Sequence, residues 1–349
     1  MSRSSELTYT PAWWVPGAHA QTLWGKFFRR SPVVATRMER WDTPDGDEVE
    51  VHRLDAPAGS NADPPRLVIL HGLEGTIGSH YLQGILWQAS ARGWAADVLM
   101  FRGCGSRMNR TRRMYHSGET TDVDFVVRRL IAEKPEQPLV AVGVSLGGNV
   151  LLKWMGERGD DTPAQVVAAS AISVPYDLER GARHIERGFS SIYTRHFLRT
   201  LKRKAAVKLD AFPGSFDRDA MLRSRTLFEF DDAVTAPLHG FAGAHDYYSR
   251  SSSRGFLSRI RRPTLLISSF DDPFLPADVL RDVAVVALQN QHLSTEFYSG
   301  GGHVGFVGGK WPRDERYYGE ERAIEFLARE IAQRPVEMMP SVARRAGTL

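Results

Sequence analysis

Hydrophobic residues in this chain form short, nearly continuous runs that alternate with longer amphipathic segments. Such runs are typical of strands whose two faces are both covered. The predicted strands are 67–70, 95–101, 139–144, 166–174, 264–270 and 295–298. Between them, 121–131 and 147–157 carry apolar residues at helical spacing, and Thr121 is the predicted N-cap of the first of these helices. Strands and helices that alternate in this way predict an α/β fold with a mostly parallel, doubly wound sheet.

The alternation stops between Tyr176 and Leu257, where basic helical stretches and aromatic clusters replace clear buried strands. An insertion at this place predicts a helical cap over the carboxyl edge of the sheet. We expect three of its apolar residues to select the acyl groups that enter: Phe189, Ile192 and Phe197. The predicted organisation is one structural domain. Its parts are an N-terminal extension packed on the core (1–62), a core in two segments (63–175 and 259–335), a cap (176–258) and a tail (336–349).

Near the N-terminus, Asp45-Gly46 separates the stretches 38–41 and 48–53. A dipeptide of this kind between two such stretches predicts a β-hairpin. The hairpin belongs to the predicted N-terminal extension.

Composition and charge are those of an ordinary soluble protein, with 42% apolar and 25% charged residues among 349. The net charge is +4, but basic and acidic residues are interleaved, and the densest basic run, 199–208, contains no aromatic residue. This pattern argues against a nucleic-acid partner. The single cysteine, Cys104, excludes an intrachain disulfide. Because the chain has neither a signal-peptide layout nor an apolar run of about 18 residues, we expect a cytoplasmic protein without a transmembrane segment.

A candidate nucleophile lies between a predicted strand and a predicted helix, where Gly143-Val144-Ser145-Leu146-Gly147 matches the pattern G-x-S-x-G. In this pattern the serine occupies a tight turn, and the glycines avoid clashes that larger neighbours would cause. The serine oxygen then stands above the sheet, and the Leu146 N–H at the start of the helix faces a developing oxyanion. The pattern predicts Ser145 as a nucleophile.

A serine hydroxyl needs a base that takes its proton and an acid that orients the base. Among eleven histidines, His303 follows a predicted strand and lies between glycines that leave room for its ring and for a substrate. The acid is expected after the preceding strand, where Asp271 and Asp272 precede Pro273. We predict Asp272 as the acid and Asp271 as a brace of the turn, and the reverse assignment stays open. The order serine, aspartate, histidine is that of the α/β hydrolases.

A second oxyanion donor is expected from a loop near the serine. His71-Gly72-Leu73 directly follows the strand 67–70, as do loops that donate a backbone N–H to the oxyanion. We predict that the Leu73 N–H is this donor and that His71 braces the loop.

Two patterns that mimic cofactor or metal sites carry less weight. The segment 300–305 fits G-x-G-x-x-G, but too few residues follow Gly305 for the rest of a dinucleotide-binding half. His245-Asp246 and 184–186 lack the spacing of metal-binding motifs. We therefore expect neither a cofactor nor a metal ion.

Taken together, the motifs resemble the YheT-type hydrolases, a branch of the α/β-hydrolase superfamily. The matching stretches are HGLEG, FRGC, YHSGET, GVSLGGN, DDPF and GGHVGF, at 71–75, 101–104, 115–120, 143–149, 271–274 and 301–306. The resemblance spans 11–328 and implies a carboxylic-ester hydrolase with a helical cap. It also implies a triad of Ser145, Asp272 and His303, with Leu73 in the oxyanion hole. Three side chains in these stretches either brace loops or contact substrate: Arg102, Tyr115 and His116.

The leading function is therefore a serine esterase that forms an acyl-enzyme on Ser145 from a small-molecule or lipid-like ester. One alternative is a lipase or phospholipase at a membrane surface, where the N-terminal aromatic and basic residues make peripheral contact. The other is a non-catalytic binding protein on the same fold, because a fold alone does not fix function. The complete set of Ser145, Asp272 and His303 argues against that last alternative.

Overall fold

The computed structural model describes residues 8–30, 33–59 and 64–333. Its centre is an eight-stranded sheet in the order β1-β2-β4-β3-β5-β6-β7-β8. The strands are β1 (Arg37–Asp42), β2 (Glu48–Leu54), β3 (Arg66–Leu70), β4 (Ala95–Met100), β5 (Leu139–Val144), β6 (Val166–Ile172), β7 (Thr264–Ser269) and β8 (Leu293–Tyr298). From β4 to β8 all neighbours pair in parallel, whereas β2 pairs antiparallel with β1 and β4. The predicted α/β fold is confirmed, and all six predicted strands are present with ends that differ by at most two residues.

The predicted hairpin near the N-terminus is also confirmed. β1 and β2 pair with Asp42 opposite Glu48, and Gly46 in the connecting turn has a φ of 79°. Glycine adopts this left-handed conformation without the steric cost that a side chain would add.

Helices cover the sheet. They are α1 (Gly17–Phe28), α2 (His80–Ala91), α3 (Thr121–Glu133), α4 (Leu146–Arg158), α5 (Leu178–Ile185), α6 (Ser191–Ala211), α7 (Arg218–Arg223), α8 (Leu227–Phe230), α9 (Ala236–His239), α10 (Ala244–Ser251), α11 (Ala277–Leu288) and α12 (Tyr318–Ala332). α2 packs on α12 and α3 packs on α4, and every residue of β3, β4 and β5 is buried. Both faces of the central strands are therefore covered, which explains their continuous hydrophobicity.

The predicted start of α3 is wrong by one residue. Thr120, not Thr121, is the N-cap, and the Thr121 hydroxyl donates backwards to Glu119 Oε1. Thr121 is the first helical residue, and its hydroxyl bonds to Glu119 rather than capping the helix.

Every described element between β6 and β7 is helical, from α5 to α10 with a π-helical turn at Asp231–Thr235. These helices share an apolar cluster that includes Leu198, Leu209 and Phe230. The arrangement agrees with the expected cap, although the predicted domain boundaries stay a prediction. The predicted tail, 336–349, lies outside the described residues.

A buried arginine ties the hairpin turn to the core. Arg102 Nη1 donates to Asp45 at 2.7 Å and to Asp47 at 2.9 Å, while its Nε and Nη2 donate to Asp122 of α3 at 2.9 and 2.6 Å. Three carboxylates around one guanidinium fix the position of the loop after β4. Of the two roles left open for Arg102, the contacts in the structure are those of a brace.

Candidate active site

Ser145 lies in the turn between β5 and α4, with a φ of 53° and a ψ of −120°. The turn is so tight that a Cβ on Gly147 would come within 2.3 Å of Leu70 O, and one on Gly143 within 2.6 Å of Gly147 O. Both glycines are therefore required by space. The strained backbone is stabilised by a hydrogen bond from the Ser145 N–H to Ile172 O at 2.8 Å.

The structure brings Ser145, His303 and Asp272 together, although 158 residues separate the serine from the histidine. His303 Nε2 is 2.9 Å from Ser145 Oγ, and His303 Nδ1 is 2.8 Å from Asp272 Oδ2. If Nδ1 carries the proton and donates to the carboxylate, Nε2 is free to accept the hydroxyl proton. The Phe274 ring stacks on the imidazole with a centroid distance of 4.0 Å and holds the plane of the ring.

The neighbouring carboxylates have different partners. Asp272 accepts from the Phe274 N–H and contacts His303. Asp271 Oδ1 accepts from Ser269 Oγ at 2.8 Å and from the Gly302 N–H at 2.9 Å. Asp271 thus braces the loop that carries the histidine, whereas Asp272 lies against the ring itself.

The loop 300–305 carries His303 and is called the histidine loop. It is held by residues from distant parts of the chain. The His303 N–H donates to Thr22 Oγ1 of α1 at 2.9 Å, and the Val304 N–H donates to Ser173 Oγ at 3.0 Å. Ser173 and Val304 have positive φ values of 51° and 59°, so the backbone is strained on both sides of this contact. Helix α1 was not predicted from the sequence, and its contribution to the site was missed.

The glycine-rich loop after β3 lies directly against the serine, since a Cβ on Gly72 would be 3.3 Å from Ser145 Cβ. His71 braces this loop. Burial lowers the pKa of its imidazole to about 4, so the ring is neutral. It donates from Nδ1 to Gly72 O at 2.7 Å and accepts at Nε2 from the Phe101 N–H at 3.1 Å. Tyr81 OH accepts from the Gly72 N–H at 2.9 Å.

The two predicted oxyanion donors adjoin the serine from different sides. Leu146 is the first residue of α4, and the first N–H groups of a helix have no partner within the helix. Leu73 follows Gly72 in the loop that contacts Ser145. Both residues line the cavity above the serine.

A polar cluster beside Leu73 was not predicted. Glu74, with a φ of 56°, accepts at Oε1 from Lys204 Nζ of α6 at 2.8 Å and from Tyr115 OH at 2.7 Å. The Glu74 N–H in turn donates to Tyr115 OH. Lys204 Nζ also lies 3.2 Å from Cys104 Sγ, and burial raises the pKa of this thiol to about 11. The cluster links the helices between β6 and β7 to the loop beside the serine.

Above Ser145 lies a cavity of about 540 Å³. Its floor is formed by loops at the carboxyl ends of the strands, and its walls come largely from α1, α5, α6, α8, the π-helical turn Asp231–Thr235 and α10. The wall includes Leu178, Ile185, Phe197, Leu201 and Phe230. His196 of α6 also lines this cavity. A space of this size with mostly apolar walls is typical of small-molecule sites.

Within residues 8–30, 33–59 and 64–333, no group of three or more His, Cys, Asp or Glu side chains has the arrangement to hold a metal ion. Gly300 to Gly305 form the histidine loop rather than a turn into a helix. No helix in the described part of the chain is both long and apolar enough to cross a membrane.

Comparisons with known proteins show the family to which the chain belongs. The sequence model of the family described as "alpha/beta hydrolase fold" matches residues 65–310. The chain is 42% identical to "Putative esterase YheT" of Escherichia coli (strain K12) over 308 residues, which is 88% of this chain and 89% of that protein. It is 28% identical to human "Phospholipase ABHD3" over 315 residues, 89% of this chain and 76% of that protein.

Among solved structures, the Pyrococcus furiosus esterase Pf2001 matches with a TM-score of 0.55 and 14% identity, covering 86% of this chain and 97% of that one. At this identity the likeness concerns the fold alone. The family model and the YheT relative, by contrast, each cover most of this chain. The chain is therefore a YheT-type hydrolase of the α/β-hydrolase family.

Proposed function

We propose that this protein hydrolyses carboxylic esters through an acyl-enzyme on Ser145. The observation that carries the proposal is the hydrogen-bonded series from Ser145 Oγ through His303 to Asp272, with distances of 2.9 and 2.8 Å. A base at hydrogen-bond distance from a hydroxyl, oriented by a carboxylate, is the arrangement that activates a serine nucleophile.

In the proposed mechanism His303 Nε2 takes the Ser145 proton while Oγ attacks the ester carbonyl. The carbonyl oxygen becomes an oxyanion, which the Leu73 and Leu146 N–H groups stabilise. His303 then gives its proton to the leaving alcohol, and the acyl group stays on Ser145. A water molecule, deprotonated by the same imidazole, attacks this acyl-enzyme and releases the acid. Asp272 stabilises the imidazolium in both steps.

Two experiments test this proposal directly. A fluorophosphonate probe should label the protein, and mass spectrometry should locate the adduct on Ser145. A panel of p-nitrophenyl esters with short to long acyl chains should be hydrolysed. If neither labelling nor turnover occurs, the non-catalytic binding protein becomes the better interpretation.

The proposal also assigns the helices between β6 and β7 to a cap at 176–258, on a core of 63–175 and 259–335. The support is their position, because α5, α6, α8 and α10 all line the cavity above Ser145. A protonated, buried Cys104 is compatible with a reducing compartment, and we propose the cytoplasm as the place of action.

The ion pair between Lys204 and Glu74 provides a prediction about the oxyanion hole. Lys204→Met keeps the aliphatic stem but leaves the Glu74 carboxylate, 8% exposed, without its cation. We expect the loop at Leu73 to shift, so that kcat falls about tenfold while KM changes little, since a misplaced oxyanion donor weakens only the transition state. Steady-state kinetics and the affinity for a trifluoromethyl ketone measure this effect.

Arg203→Met is the matched control, because Arg203 is the exposed neighbour on the same helix. The double variant Glu74→Gln, Lys204→Met should recover part of the lost kcat, because it removes the uncompensated charge. An unchanged kcat in Lys204→Met would show that the ion pair does not position the loop.

A second candidate function is a lipase or phospholipase that acts at a membrane surface. The supporting observation is a group of exposed rings, the aromatic face, formed by Trp13, Phe27, Phe28 and Trp311, each between 60% and 69% exposed. Trp13 and Trp311 are in edge contact at 5.8 Å, and Phe27 contacts Phe28. Lys26, next to Phe27 on α1, lines the cavity, so the helix that carries two of these rings also forms part of the cavity wall. Exposed rings beside cations are typical of surfaces that contact lipid.

We therefore expect the double variant Phe27→Ser, Phe28→Ser to bind phosphatidylglycerol vesicles at least about a hundredfold more weakly, because burying each Phe side chain contributes about 1.5–3 kcal/mol and 1.4 kcal/mol is a factor of about ten. Vesicle co-sedimentation measures the binding. The control is Val285→Ser, Leu288→Ser, which removes two exposed apolar residues from α11. Turnover of a water-soluble ester should stay unchanged in both variants. Equal vesicle binding by the two variants would rule out this surface.

A further inference from the structure

One side of the cavity contains a carboxyl group that the proposed mechanism does not use. Asp231 begins the π-helical turn Asp231–Thr235 and lines the cavity together with Thr235, Tyr247 and Tyr248. Its Oδ1 accepts from Thr235 Oγ1 at 2.6 Å, and its Oδ2 accepts from Tyr248 OH at 2.6 Å. Two short hydrogen bonds hold the carboxyl in a fixed orientation.

Both partners of Asp231 are neutral. No ion pair involves Asp231 among the residues that the structure describes, and burial raises the pKa of its carboxyl to about 6. At pH 8 the group is therefore mostly ionised, and its charge lacks a compensating cation in a region of low dielectric constant. A buried charge without such a partner is costly.

Among the described residues no nearby cation acts on Asp231, and Arg183 acts on Glu186 instead. Glu186 is a second acid close to Tyr248, and burial raises the pKa of its carboxyl. Of the other charged side chains that line the cavity, Glu74 is paired with Lys204, and Lys26 belongs to α1 rather than to these helices. None of these groups pairs with Asp231, so its negative charge stays uncompensated within the described part of the chain.

Asp231 also remains partly exposed, and the cavity is the space that it faces. Tyr247 and Tyr248 line the same part of the cavity. Their two rings contact each other, with 5.1 Å between the ring centroids and an angle of 38° between the ring planes. Tyr248 presents its hydroxyl to Asp231. A carboxylate beside aromatic rings is the chemistry that binds an organic ammonium group, through charge and cation–π attraction together. A neutral hydroxyl group would leave the charge uncompensated.

We propose that Asp231, Tyr247 and Tyr248 form a subsite that binds an organic ammonium group of the ester substrate. The subsite rests on the proposed function, because the ester bond of the same molecule must reach Ser145. It makes this hydrolase selective for cationic esters over uncharged esters of equal size and shape.

The test uses pairs of p-nitrophenyl esters whose acyl chains end either in a trimethylammonium group or in its uncharged isostere, a tert-butyl group. The chains increase in length, so that one pair spans the distance from Ser145 to Asp231. For the best-fitting pair, we expect the unaltered protein to have a kcat/KM about tenfold higher for the cationic ester, which corresponds to about 1.4 kcal/mol. Choline esters and 3,3-dimethylbutyl esters extend the test to a cation on the alcohol side.

Asp231→Asn removes the charge at nearly constant shape. We expect it to lower kcat/KM for the cationic ester to the value for the tert-butyl ester, so that the preference is abolished, and a thermal melt reports on folding. Asp219→Asn, an exposed acid on α7, is the control and should keep the preference. A metal-free buffer excludes effects of added cations.

Equal rates for both members of every pair in the unaltered protein would overturn the subsite, as would a preference for an ester ending in a hydroxyl group. A cation preference that survives in Asp231→Asn would also overturn it. Failure of all esters, with no fluorophosphonate labelling of Ser145, would instead overturn the proposed function and the subsite with it. The two failures are therefore distinguishable.

Discussion

Replacing Ser145 by alanine should abolish covalent labelling by a fluorophosphonate and lower kcat for p-nitrophenyl esters by about 10⁴-fold or more, because the members of a triad act as a unit. Only Oγ is lost, and the hydrogen bond from the Ser145 N–H to Ile172 O is made by the backbone. The fold should therefore persist, which a thermal melt will show. Mass spectrometry of labelled peptides is the decisive measurement.

His303→Ala provides the matched comparison for that result. It should reduce kcat by a similar factor, and the double variant should be no worse than either single variant. Additive losses would mean that the two residues act independently, against the contact of 2.9 Å between them. Labelling that survives Ser145→Ala undiminished would place the nucleophile elsewhere.

Asp272→Asn should reduce kcat by about 10³- to 10⁴-fold without unfolding the protein. The amide of asparagine can donate to His303 Nδ1, which forces the proton onto Nε2. In that tautomer Nε2 carries a proton, so it has no lone pair with which to accept the Ser145 proton. The measurement is kcat at saturating ester, together with the rate of fluorophosphonate labelling, which should fall in parallel.

Asp271→Asn is the natural control, since it changes the adjacent carboxylate in the same way. The asparagine oxygen can still accept from Ser269 Oγ and the Gly302 N–H, the two contacts that Asp271 makes. We expect less than about a tenfold loss. A larger effect at Asp271 than at Asp272 would reverse the assignment of the acid and the brace.

The N-terminal segment has a more direct part in the site than its place in the chain suggests. Helix α1 supplies Thr22 to the His303 N–H and Lys26 to the cavity wall. Gln21, also on α1, is buried and exchanges hydrogen bonds with the backbone of Val307, just after the histidine loop. The histidine loop is thus positioned from both ends by residues almost 300 positions away.

The expected role of three cap residues is modified by their positions. Phe197 lines the cavity and contacts Phe274, as a residue that selects acyl groups should. Phe189 and Ile192 are 53% and 49% exposed, and neither is part of the cavity wall. Hydrophobicity alone could not separate these positions, because the orientation of α6 depends on what it packs against.

Sequence by itself determined the features that depend on local order. The apolar runs identified the strands, since a strand covered on both faces must be apolar at nearly every position. The glycines around Ser145 and the acids after β7 marked turns whose geometry needs those residue types. Helix α1 escaped because its N-cap is Pro16 and it has no side-chain cap hydrogen bond, so its start carries no recognisable signal.

Tertiary structure decided everything that depends on contacts between distant residues. It placed Asp272 rather than Asp271 against His303 and paired Lys204 with Glu74 across 130 residues. It also left Asp231 facing the cavity, with no cation paired to it among the residues that the structure describes. Local periodicity contains no information about such pairs, because either of two adjacent aspartates fits the same turn. The difference arises only when packing of the helices and loops fixes which oxygen points at which donor.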